Sequence, residues 1–86
     1  MVYFVLTRAG YDELNAQRGS TPSPLWVNDG VLSASELSEL LEAGVKVTNF
    51  TRFIDPHNMT EIEEAIFTVQ DHHSGQRVWV EYAPDL

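Results

Sequence analysis

Four polar side chains follow short apolar runs: Arg8 after the run ending at Leu6, Asp29 after Leu25–Asn28, and Asp55 and His57 after the Val45–Thr48 segment. If those runs are parallel strands, all four residues stand at carboxyl ends, the side of an open α/β sheet on which ligands bind. Two carboxylates, an imidazole and a guanidinium suit a hydrated divalent cation or a phosphate. The edge built on Arg8, Asp29, Asp55 and His57 is therefore the candidate for a small enzyme or a ligand- or cation-binding domain. Asp and His are also ordinary loop residues, so composition alone does not make this edge a site.

A second candidate is apolar. Ile62, Ala65, Ile66 and Val69 recur at helical spacing and form a core stripe, which leaves Phe67 off the stripe beside Glu63, Glu64 and Asp71. An exposed aromatic with an acidic rim is the chemistry of a contact with another protein. Trp26, Trp79, Phe50, Phe53 and Phe67 are many large side chains for so small a core.

Other patterns carry less. Asp29-Gly30 followed by Leu32 and Glu36 resembles the back half of a calcium-binding EF-hand loop, but Leu25 and Val27 fall where its first ligands belong. Asp71-His72-His73 resembles the Asp-His-His signature of a phosphoesterase family. Adjacent histidines on a helix diverge by about 100°, so they do not chelate one ion as an i, i+4 pair does, and a solvated helix end is expected. The five glycines match neither a P-loop nor a dinucleotide fingerprint, and no nucleophile elbow is present. No metal and no cofactor is expected.

The net charge of -8, with only five basic residues, disfavours direct binding to nucleic acid and to anionic membranes. It suits a basic protein partner, or solubility alone. The absence of cysteine excludes disulfides and thiolate zinc sites. Without a signal-peptide pattern or a long apolar span, the expected compartment is the cytoplasm.

The elements that must position these residues follow from local signals. VYFVL at Val2–Leu6 is apolar on both alternating faces and reads as an interior strand. Thr7 can cap a helix to about Gln17, which Gly10 weakens by roughly 1 kcal/mol relative to alanine. STPSP at 20–24 is a surface connection. Leu25–Asn28 is a short strand. Ser33-Ala-Ser-Glu36 is a capping box, followed by the stripe Leu37, Leu40, Leu41 and the stop at Gly44. A strand over Val45–Thr48 breaks phase near Asn49, as a bulge or a strand end does. A helix from about Met59 to His72 is capped by Asn58 or Thr60, and Arg77–Tyr82 is an edge strand.

The order is β-α-β-α-β-α-β, which makes residues 1–86 one α/β domain with a mostly parallel four-stranded sheet. The preferred strand order is 2-1-3-4; the alternative is a ferredoxin-like α+β fold. The favoured function is a small, acidic, non-catalytic interaction or regulatory module that binds a protein partner or itself, in a possible dimer.

Overall fold

Thr7 starts the first helix: its extended backbone turns the chain out of the sheet, and its hydroxyl accepts from the Gly10 N–H at 3.0 Å. The same logic repeats twice. Ser33 accepts from the Glu36 N–H at 3.1 Å while the Glu36 carboxylate accepts from the Ser33 N–H at 3.0 Å, which completes the capping box. Asn58 accepts from the Glu61 N–H at 3.2 Å. In the computed structural model, which describes residues 1–81, these caps open α1 (Arg8–Arg18), α2 (Ala34–Glu42) and α3 (Met59–His72). Gly19 and Gly44 take positive φ just past the first two helices, the left-handed conformation that costs glycine little.

The helices alternate with β1 (Val2–Val5), β2 (Leu25–Val27), β3 (Val47–Asn49) and β4 (Val78–Val80) in one all-parallel sheet. This is the expected α/β architecture, and the ferredoxin-like alternative, which needs antiparallel pairs, is not what forms. The sheet order is β3-β2-β1-β4 rather than 2-1-3-4. β1 is interior as expected, but its second neighbour is β4, and β3 lies outside β2. The reason is visible in the side chains. Leu25, Trp26 and Val27 are all buried, so β2 needs cover on both faces. Val47-Thr48-Asn49 is half-buried or exposed and tolerates an edge. The phase break expected near Asn49 is the end of β3. Tyr82, assigned to the last strand from sequence, lies outside the described residues.

Two cores result, one per sheet face. Val2, Phe4, Leu6 and Trp26 pack with Ile62, Ala65 and Val69 of α3. Val5, Leu25 and Val27 pack with Tyr11 and Leu14 of α1, and Leu37 and Leu40 of α2 join them half-buried. Thus α1 and α2 cover one face and α3 the other. The expected α2 stripe needs one correction: Leu41 is 59% exposed. Its helix packs on the edge strand β3, so the outermost leucine has too little sheet beneath it.

Candidate functional site

The strand-end residues divide into two groups. Arg8 and Asp29 line a shallow groove of about 330 Å³ at the carboxyl ends of β1 and β2, with Leu6, Thr7, Phe53 and Pro56. Arg8 is already engaged there. Its guanidinium donates to Asp12 at 3.1 Å, to both Glu36 carboxylate oxygens at 2.9 and 2.8 Å, and to the Val31 carbonyl at 3.4 Å. The hydrogen bond to Glu36 raises the Arg8 pKa. Glu36 is lowered from its ordinary value of 4.5, first by the Ser33 backbone N–H and then by Arg8. Arg8 therefore brackets the starts of α1 and α2.

Asp29 is exposed and accepts from the Asn49 amide at 3.2 Å. Asp55 accepts from the His57 N–H at 2.9 Å, a local Asx turn, and neither residue lines the groove. The structure thus brings Arg8 and Asp29 together and leaves Asp55 and His57 in a turn of their own. Among the described residues, no three His, Asp or Glu side chains are grouped as a metal ion requires.

A residue that sequence reasoning missed fills the neighbouring crevice. β1 and β4 are adjacent, yet β1 leads into a helix on one face and β4 is entered from the helix on the other. Such a crevice is where open α/β sheets bind ligands. Here Glu81, just past β4, reaches into it. Its carboxylate accepts from the Leu6 N–H at 2.8 Å, the Thr7 N–H at 3.0 Å and the Thr7 hydroxyl. A negative charge at the start of α1 is also favoured by the helix dipole. Gly10 makes room for it: a Cβ there would overlap the carboxylate. The signal was the glycine itself, a poor helix former in the first turn whose absent side chain admits a close neighbour.

Asn28 is the second omission. It is fully buried, and its amide group donates to the carbonyls of Leu6 at 3.1 Å and Ile54 at 2.7 Å. Its side-chain oxygen accepts from the Ile54 N–H at 2.8 Å. One side chain thereby ties the ends of β1 and β2 to the loop before α3. Nothing in its sequence position distinguishes it from Asp29, which points to solvent.

The α3 candidate is placed as its periodicity predicts. Ile62, Ala65 and Val69 are buried, and Phe67 is 68% exposed. At about 100° per residue Phe67 points almost opposite that buried stripe. Glu63, Glu64 and Asp71 around it are exposed, and Phe67, Ile66, Glu63 and Gln70 line a shallow concavity of about 180 Å³. Arg52 approaches Glu64 at 3.6 Å, an exposed pair. α3 itself carries no lysine or arginine.

No known protein family, curated protein or solved structure matches the chain. Among the described residues no helix is long and apolar enough to cross a membrane.

Proposed function

We propose that this protein is a non-catalytic interaction module whose α3 presents Phe67, within a carboxylate rim, to a basic protein partner. The observation that carries the reading is the exposure of Phe67 on the helix face opposite the core stripe. Large aromatics anchor interfaces when a partner supplies the second surface that buries them. Glu63, Glu64 and Asp71 then select that partner by charge. A second copy is disfavoured on this face, because it would set the same carboxylates against one another. Against an enzyme reading stand two engaged groups: Glu81 occupies the crevice between β1 and β4, and Arg8 is bound by Asp12 and Glu36.

The test uses an amphipathic helical peptide with leucines on one face and lysines on the other. Amide NMR signals from Glu63 to Asp71 should shift on titration. Phe67→Ala should weaken binding by about 30-fold, the equivalent of roughly 2 kcal/mol, with little change in the unfolding midpoint. Glu63→Lys should alter chiefly the salt dependence. Unfolding by Phe67→Ala would return this residue to the core. Shifts centred on Asp29 and Phe53, or equal affinity in both variants, would move the interface off α3. A concentration-dependent dimer abolished by Phe67→Ala would assign the face to a second copy.

A further inference from the structure

Trp26 lies on the α3 face of β2 and is 5% exposed. Its indole is enclosed by Phe50, at a ring-centroid distance of 5.2 Å, and by the end of α3, where the His72 ring lies at 5.2 Å and the His73 ring edge-on at 6.0 Å. The indole N–H donates to His73 Nε2 at 3.0 Å. An indole nitrogen can only donate, and a buried one needs an acceptor. His73 Nε2 therefore carries the lone pair, and the ring is neutral with its hydrogen on Nδ1.

His72 has the opposite arrangement. Its Nδ1 lies 2.9 Å from the Thr68 carbonyl, which only accepts, so Nδ1 holds a hydrogen. A proton on His72 leaves the bond to Thr68 in place. A proton on His73 converts the acceptor of the indole N–H into a second donor, and two donors facing one another repel.

We propose that His73 is a proton-sensitive latch that holds the C-terminal end of α3 against Trp26. Protonation from solvent forms a new N–H at His73 Nε2; the indole keeps its own hydrogen and turns to water. The segment released is the short turn that follows the helix, in which the His73 N–H donates to the Val69 carbonyl at 3.1 Å and the Gln76 N–H to the His73 carbonyl at 3.1 Å. Among the described residues, the other charged groups at this end of the sheet include Asp71 on α3, Arg77 before β4, Lys46 before β3 and the amino group of Met1, with Arg18 and Glu42 ending α1 and α2 on the opposite face. Among the described residues none forms an ion pair with either histidine. The proton thus acts on the hydrogen bond to Trp26 and on no salt bridge at this site.

Two tryptophans are present, so Trp79→Phe isolates the signal of Trp26. At neutral pH, nitrogen-15 NMR should show His73 as the Nδ1–H tautomer. Lowering the pH across the histidine range, roughly 8 to 5, should shift the Trp26 indole N–H resonance in step with the His73 ring. Exchange of that indole proton should quicken by about tenfold, as loss of one hydrogen bond implies. His73→Gln, whose side-chain oxygen accepts at any pH, should abolish the transition, and His72→Gln should leave it intact. An Nε2–H tautomer of His73, a transition that survives His73→Gln, one lost in His72→Gln, or titration of His73 with Trp26 unmoved would each overturn the proposal. The tautomer and the indole titration are read in the unaltered chain as well, so the outcome does not depend on any variant folding.

Discussion

Alanine in place of Gly10 should destabilise this protein, although alanine is the better helix former by about 1 kcal/mol. The reason is the seat that Gly10 provides for Glu81. A methyl group there expels the carboxylate, and the Leu6 and Thr7 N–H groups lose an ionised acceptor. Bonds to charged groups contribute about 1.5–3 kcal/mol each, and partial exposure reduces that to about 1 kcal/mol, since water replaces some of the loss. With the Thr7 hydroxyl included, removing Glu81 should cost about 2–3 kcal/mol. Gly10→Ala should then cost a net 1–2 kcal/mol, roughly that loss less the helix gain. In the Glu81→Ala background the seat is empty, and the same substitution should stabilise by up to about 1 kcal/mol. Urea unfolding of the four proteins, followed by far-UV circular dichroism, measures the cycle. The coupling should be about 2–3 kcal/mol, with a change of sign between backgrounds. Stabilisation by Gly10→Ala in both backgrounds would show that Glu81 does not occupy the crevice in solution.

Two further substitutions probe the strand ends and the bracket between helices. Asn28→Ala should cost about 3–5 kcal/mol in the same unfolding assay, because it strips partners from a buried N–H and two carbonyls; a loss below about 1 kcal/mol would mean that those groups find other partners. Glu36 has a folded pKa below its ordinary 4.5, so its contribution is fully present above that value and is lost as the pH falls through the lower folded value. The melting temperature of Glu36→Gln should accordingly lie below that of the unaltered chain at neutral pH and converge with it below pH 4.5; a gap independent of pH would show that the charge is not what stabilises the bracket.

How much of the structure is legible in the sequence depends on sequence separation. Ser33 and Glu36 are three residues apart, so their reciprocal bonds are legible as a motif. The Asn58 cap and the stripe of Ile62, Ala65 and Val69 are equally local, and the expected helix at about Met59–His72 matches α3. Such signals were enough for the alternating order of strands and helices, and the parallel sheet then follows from short right-handed connections. They were also enough to turn Phe67 outward, because helical phase is a property of spacing alone.

The candidate strand-end edge was legible only as residue types near strand ends. Which of them meet depended on loop paths: Pro56 reaches the groove while its neighbours Asp55 and His57 do not line it. The choice of β4 over β3 as the second neighbour of β1 was likewise tertiary, because both strands satisfy the same local pattern and only burial of β2 on both faces separates the two orders.

By itself, then, the sequence determined the elements, their caps and their amphipathic faces, since each rests on hydrogen bonds and packing within about one helical turn or one strand. The tertiary structure alone decided the rest. Trp26 meets His73 across 47 positions, Leu6 meets Glu81 across 75, and Asn28 meets Ile54 across 26. No periodicity encodes such pairs. They exist because the sheet brings strand ends together in space, where these donors meet acceptors that distant parts of the chain supply.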